Sequence, residues 1–143
     1  MAESDLAAVT MIEQGTQEVP WNIAMFMDCL RVGYQGFVVE REEQVIGFAI
    51  LASAAGESHI LNLAVSPLEQ RQGIGFWLMQ QILSGLRQQG VNLVFLEVRA
   101  SNVKAQKLYK KLKFSEIGQR KNYYQTKQGR EDALVLSLNI SNV

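Results

Sequence analysis

Three stretches of the chain carry residue types that can do chemistry. The first is QRQGIG, residues 70–75. It falls between an apolar run and an amphipathic one, where glycines let backbone N–H groups approach an anion and a helix start adds positive potential. A phosphate cradle and a plain tight turn both satisfy that pattern. A Walker A loop is excluded because it would end in Gly-Lys-Ser/Thr where this chain reads Gly75-Phe76-Trp77, and Leu78 excludes the dinucleotide fingerprint, which needs a third small residue there. The second stretch is LEVRASN, residues 96–102. In a strand Leu93, Phe95, Glu97 and Arg99 share one face, so Glu97 continues an apolar row near the strand's C-terminal end. Burial there would make its carboxylate a better base, and an ion pair with Arg99 on the same face would make it a weaker one. The strand alone favours the ion pair. The third stretch, NVKAQKLYKKLKF at 102–114, places Tyr109 on a helical apolar stripe, either as a core aromatic or as a phenol able to protonate a leaving group. Lys104, Lys107, Lys110 and Lys111 beside it make a solvated face or a patch near an anionic ligand.

The elements that must position these residues follow from hydrophobic period and punctuation. Residues 3–14 read as a helix with Ser4 or Asp5 as N-cap, and a second helix after Pro20 carries the stripe Ile23, Phe26, Met27, Leu30. GFVVEREEQVIGFAILA from Gly36 reads as a hairpin turning at Arg41 to Gln44, and HILNLAV, residues 59–65, is a third strand ended by Pro67. From Gly75 to about Gln89 the residues Leu78, Met79, Ile82, Leu83 and Leu86 fall on one helical face, with Gly90 as its stop. VNLVFLEV is apolar on both faces, as in a strand covered by helices on either side. Asn102 can cap the next helix, with Ala105, Leu108, Tyr109 and Leu112 as its stripe, and two β segments near 114–124 and 131–138 close the chain around the turn TKQGR. The order ααβββαβαββ predicts an α/β (α+β) layer fold with one mixed sheet, and 143 residues without linker or repeat predict one domain, 1–143.

Composition narrows the class. With 48% hydrophobic and 20% charged residues, the chain can build a core without staples, and the lone Cys29 and lone His59 rule out a disulfide framework or an ordinary four-ligand zinc site. No metal is expected, and a reducing, cytoplasmic setting fits. Cys29 reads as a small core residue. There is no apolar run long enough to span a membrane and no basic, then apolar, leader. Formal net charge is zero, yet residues 1–69 hold ten acids against Arg31 and Arg41, a net −8, and residues 70–143 hold twelve bases against four acids, a net +8. Such polarity suits a cationic partner for one half and an anionic one for the other, unless the halves neutralise each other.

Taken together and in order, a strand followed by Pro67, QxxGxG opening a helix, a strand ending LEVRASN and a helix with AxxLYxxLxF resemble the GNAT family of N-acetyltransferases. Within it the chain is most similar to the bacterial ribosomal-protein-alanine N-acetyltransferases. Pro20-Trp21, NLAV at 62–65, NYY at 122–124 and GREDA at 129–133 extend the resemblance over nearly the whole chain.

The resemblance implies the GNAT fold, a twisted mixed sheet with flanking helices, splayed at its centre between the HILNLAV and VNLVFLEV strands, with acetyl-CoA in the opening. Leu63, Ala64 and Val65 would pair with the pantetheine arm, Arg71, Gln72, Gly73, Ile74, Gly75 and Phe76 would wrap the pyrophosphate, and Asn102 would contact the cofactor while capping its helix. Glu97 corresponds to the general base and Tyr109 to the general acid. The implied reaction is direct transfer of acetyl to the N-terminal α-amine of a protein, the N-terminal alanine of small-subunit ribosomal protein eighteen. A basic ribosomal tail suits the acidic first half, and Tyr123, Tyr124 and the GREDA turn are candidate walls of its groove or plain packing. The alternatives are acetylation of a lysine or a small-molecule amine, and a non-catalytic acetyl-CoA sensor. A monomer with no direct nucleic-acid partner is expected. Two departures stand out: Lys113 occupies a position usually held by a helix-ending Gly, and Phe76 replaces a common basic residue, which removes one phosphate contact.

Overall fold

Glu42-Glu43 and Ala55-Gly56 each form a two-residue reversal with both residues at positive φ, 53° and 67° in the first, 53° and 79° in the second. Such reversals match the right-handed twist of the strands they join. They fold the chain into a meander of β1 (Gln35–Arg41), β2 (Gln44–Ala54) and β3 (Glu57–Val65), with Arg41 opposite Gln44 and Ala54 opposite Glu57. The computed structural model describes residues 1–70 and 72–141. Ahead of the meander lie α1 (Leu6–Thr16) and α2 (Ile23–Arg31), and after it α3 (Ile74–Gln88), β4 (Leu93–Arg99), α4 (Val103–Lys111), β5 (Ser115–Thr126) and β6 (Gly129–Asn139). The element order is the predicted one. No helix among the described residues is long and apolar enough to cross a membrane.

The six strands lie in the order β1-β2-β3-β4-β6-β5, and only β3 and β4 run parallel, joined through the α3 crossover. Their ladder is short. It runs from Glu57 opposite Leu93 to Ile60 opposite Leu96 and stops, although β3 continues to Val65 and β4 to Arg99. The break coincides with a bulge. Leu51 faces Ile60 and Ile50 faces Asn62, so Leu61 is an extra residue on β3. An inserted residue bends its strand and ends regular pairing, and past this point the two halves of the sheet part.

Two clusters hold the layers together. On one face Leu78, Met79, Ile82, Leu83 and Leu86 of α3 meet Ile60, Val94, Leu96 and Val98, joined by Tyr109, Leu112 and Phe114. On the other Leu6, Val9 and Ile12 of α1 and Phe26 and Cys29 of α2 cover Phe48, Ile50 and Ala64. Burying each large apolar side chain contributes roughly 1.5–3 kcal/mol. Three local expectations need correction. Neither Ser4 nor Asp5 caps α1; the Asp5 carboxylate instead accepts the Ala2 N–H at 2.7 Å, because residues Glu3–Asp5 form a 3-10 turn. Ile23 is 46% exposed, and Phe26 with Cys29 carries the buried side of α2. β4 is not covered on both faces: Val94, Leu96 and Val98 are buried, whereas Leu93, Phe95, Glu97 and Arg99 are only partly so. The reason is that α1 and α2 pack over β1–β3, leaving that side of β4 open.

At the end of α4 the chain keeps the left-handed turn that a glycine would normally make. Lys113 has φ 77°, its N–H reaches the Lys110 carbonyl at 2.9 Å, and the Phe114 N–H reaches the Tyr109 carbonyl at 3.0 Å. This is a Schellman closure, completed by the Phe114 ring edge-on to Tyr109 at 5.6 Å. A side chain in that conformation costs about 1 kcal/mol. Lys113→Gly therefore raises the unfolding free energy by about 1 kcal/mol, seen as a Tm increase of roughly 2–4 °C. An unchanged or lower Tm would contradict a strained left-handed end.

Candidate active site

The alternation of β4 places Glu97 on its open face, yet the side chain is only 5% exposed because neighbouring strands crowd it. Its Oε2 lies 2.5 Å from Nε2 of His59, so with the carboxylate ionised the ring N–H is the donor. His59 faces Phe95 in the short parallel ladder and stacks on that ring at 4.5 Å, which fixes the imidazole plane. The other oxygen, Oε1, has Arg120 Nε of β5 at 3.4 Å but no aligned hydrogen bond among the described residues. The ion pair with Arg99 does not form. Antiparallel pairing of β4 with β6 draws Arg99 away to Glu131 at 3.4 Å and the Gln125 carbonyl at 3.0 Å, with its guanidinium 4.5 Å above the Tyr124 ring.

Glu97 lines a cavity of about 160 Å³ at the splay, shared with Glu13, Trp21, Asn62, Tyr109 and Tyr124. Tyr109 reaches it from the buried stripe of α4. Burial pushes its phenol up to about 12, so it keeps its proton throughout the neutral range. Tyr124 is pushed up as well, first by burial and then by the negative charge of Glu97. Tyr123 instead packs edge-on to Tyr124 at 5.0 Å beneath Arg120. The GREDA segment works from behind: Glu131 holds Arg99 and accepts from the Ser101 hydroxyl at 3.0 Å, and Asp132 accepts the Asn122 N–H at 2.9 Å, fixing the bulge that presents Tyr124.

A second cavity of about 390 Å³ adjoins the first, and Gln17, Leu63, Asn102 and Ala105 line both. Leu63, Ala64 and Val65 form its β wall, on the stretch of β3 that has lost its β4 partner, and Gly73, Ile74, Gly75 and Phe76 form its opposite end. Gly73 is the N-cap of α3 at φ 76° and supplies no side-chain cap, so the first N–H groups of the helix keep their positive potential for an anion. Asn102 caps α4 as expected, accepting the Ala105 N–H at 3.1 Å. Two expectations for this loop change. Gln72 turns away from the cavity, accepting from Arg41 at 3.1 Å and donating to Glu69 at 3.3 Å, so its side chain braces the loop against the β1–β2 hairpin. Arg71 lies outside the described residues. Phe76 is not simply a lost charge, since the Lys111 ammonium sits 4.5 Å over its ring and returns a positive group to that end.

Local spacing did not single out several functional neighbours. Gln70 donates to the Val65 carbonyl at 3.1 Å and accepts from Lys104 at 3.2 Å, which brings that lysine to the cavity wall. Glu13 of α1 is 1% exposed; its Oε2 accepts the Trp21 N–H at 3.0 Å, and burial raises its carboxyl above the usual carboxylate range. A signal for Glu13 did exist, because it continues the stripe of Leu6 and Val9 at helical spacing, where an acid is out of place.

The arrangement offers an open strand edge for an amide-bearing arm, a helix start and Lys104 for phosphate, and a carboxylate and a phenol where the channel meets the splay. Comparison with known proteins agrees with that geometry. The model of the Acetyltransferase (GNAT) family matches residues 5–114. The chain is 39% identical over 138 residues to the ribosomal protein bS18-alanine N-acetyltransferase of Escherichia coli K12, spanning 96% of this chain and 93% of that one. It is 37% identical over 141 residues to the enzyme of the same name from Salmonella typhimurium, spanning 99% and 95%. The crystal structure of the ribosomal-protein-S18-alanine N-acetyltransferase from Escherichia coli superposes with a TM-score of 0.93 at 38% identity, covering 100% of this chain and 92% of that one. With the family's pattern matched across most of the sequence and its fold reproduced from end to end, this chain belongs to the GNAT family of acetyltransferases.

Proposed function

We propose that the protein transfers the acetyl group of acetyl-CoA to the N-terminal α-amine of a protein, and that its acceptor is the N-terminal alanine of small-subunit ribosomal protein eighteen. The observation that carries this reading is the continuous channel through the splayed sheet, with Glu97 and Tyr109 on its walls at the junction. Relatives at 37–39% identity bear the name of that activity. Bound acetyl-CoA supplies a thioester carbonyl as acyl donor. The backbone of Leu63, Ala64 and Val65 holds the pantetheine arm along the free edge of β3. The α3 start from Gly73 to Phe76 takes the pyrophosphate, with Lys104 across the groove and Asn102 at the junction.

Glu97 takes the proton that the acceptor nitrogen must lose. An α-amine near 7.7–8.0 is already about a tenth neutral at pH 7, whereas a lysine near 10.4 would require roughly 3.5 kcal/mol more. One carboxylate is adequate for the first task, and His59 on its Oε2 gives the proton an exit toward solvent. The nitrogen then attacks the carbonyl carbon, the C–N bond forms, the C–S bond breaks, and the Tyr109 hydroxyl donates to the departing sulfur. Direct attack needs no covalent enzyme intermediate, which leaves Cys29 to the core. The acceptor enters beside the 17–22 loop. Glu18 of that loop accepts the Lys127 N–H at 2.7 Å, closing the mouth of the cleft with acidic groups that suit a basic tail. On this reading the enzyme works as a monomer in the cytoplasm.

Mass spectrometry after incubation with acetyl-CoA tests the reading on two peptides, a basic tail with a free N-terminal Ala and the same tail blocked at its α-amine. Acetyl gain on the free peptide alone is expected. Equal labelling of both would move the acceptor to lysine side chains and overturn it.

A further inference from the structure

We infer that Glu13 is the acceptor-binding carboxylate of the cleft, receiving the acceptor's α-amine on its Oε1 while Glu97 removes the proton; this rests on the reading of an N-terminal amine as acceptor. Glu13 reaches the cavity from α1, and Glu97 reaches the same cavity from β4. The two oxygens of Glu13 have different situations. Oε2 is held by the Trp21 N–H, which ties the loop walling the cleft to α1. Oε1 is buried and has no hydrogen-bond partner among the described residues.

Such an oxygen is costly to keep. A buried acceptor left unpaired forfeits its hydration without return. Desolvation also holds the Glu13 carboxyl above its ordinary value, with the Trp21 N–H, Asn62 and the Arg99 charge opposing the rise. Because the folded carboxyl keeps its proton to higher pH than the unfolded one, the stability it gives is present in acid, below the ordinary carboxylate range. That stability is lost as pH rises through the raised folded value. At neutral pH the fold would be served better by a neutral residue, and a Gln could still accept the Trp21 N–H. What a carboxylate adds is an anionic acceptor inside a small cavity that already contains the base.

An α-ammonium has three donors and a positive charge. Its arrival supplies the missing partner of Oε1 and favours the ionised form of Glu13. Once Glu97 has taken one proton, a remaining N–H still points to Glu13 and keeps the nitrogen lone pair aimed at the thioester. A peptide that begins with propionyl in place of alanyl lacks only the amine, and would leave Oε1 unpaired as before.

The test compares these two peptides by calorimetric titration onto the full-length protein saturated with CoA, so that no acetyl is transferred. Wild-type protein is expected to favour the alanyl peptide by at least roughly tenfold, the discrimination typical of a site built to pair a donor. Glu13→Gln is expected to bring the two peptides within about twofold of each other with its CoA affinity unchanged. A merely structural role would weaken both peptides alike and leave their ratio intact, so an unmoved ratio overturns the inference. Should Glu13→Gln lose CoA binding, Glu13→Asp keeps the charge, withdraws the oxygen by one methylene and must also depress the ratio. Wild-type protein that binds both peptides equally sinks the role of Glu13 alone. Binding of neither peptide sinks the N-terminal-amine reading, and Glu13 with it.

Discussion

Replacing Glu97 by Gln is expected to lower kcat/KM for the N-terminal peptide by about 10²- to 10⁴-fold at neutral pH, the range over which a positioned base contributes. The substitution is close to isosteric. The amide oxygen can still accept from His59, and the buried setting in which only 5% of the side chain is exposed is preserved, so folding and acetyl-CoA binding should survive. What disappears is the ability to take a proton from the ammonium. The loss should therefore narrow as pH rises through the amine's own range near 7.7–8.0, because the acceptor then arrives already neutral. Rates measured from about pH 6 to pH 9 on the free-alanine peptide read this directly. A variant that keeps wild-type kcat/KM on the acidic side would remove Glu97 from the chemistry.

The structural reason for concentrating on Glu97 was only half legible in the sequence. Alternation along LEVRASN placed it on a face with Phe95 and Arg99, and the structure keeps that face. Its partner was not legible, because the His59 contact depends on the parallel register that sets His59 opposite Phe95. That register is fixed by the α3 crossover and by the bulge at Leu61, neither of which is encoded in the spacing around Glu97. Arg99 shows the same limit from the other side: two residues away on one face, it is claimed instead by Glu131 and Tyr124 through β6 and β5.

Features that depend on nearest neighbours along the chain fared better. The Asn102 cap, the Gly90 stop at φ 82° and the α3 stripe all lie where period and punctuation put them. Lys113 marks a place where local preference lost. The Phe114 ring and two helix-closing hydrogen bonds hold a left-handed turn that lysine by itself disfavours. The charge asymmetry also takes on spatial meaning at a few points. Glu13 and Glu18 stand at the acceptor end of the channel, and Lys104 and Lys111 stand at the end where α3 begins.

Tyr109→Phe is expected to reduce kcat by about 10²-fold with little change in KM for acetyl-CoA, since the ring stays in the core and only the donor to the departing sulfur is lost. Burial lifts the phenol to about 12, and the same exclusion of water lifts the thiol of the leaving group, so donor and acceptor approach each other in proton affinity as the C–S bond lengthens. A phenol poised this way carries its proton wherever the enzyme is used. Activity below its titration depends on the protonated form, so the wild-type rate should hold on the basic side up to about pH 10 and not fall with an ordinary tyrosine. The edge-on contact with Phe114 at 5.6 Å does not involve the hydroxyl, so the unfolding midpoint of the variant should stay near that of wild type. Single-turnover mixing with acetyl-CoA separates chemistry from product release. Full turnover by Tyr109→Phe in that experiment would leave the thiolate to be protonated by solvent, and would return Tyr109 to being a core residue.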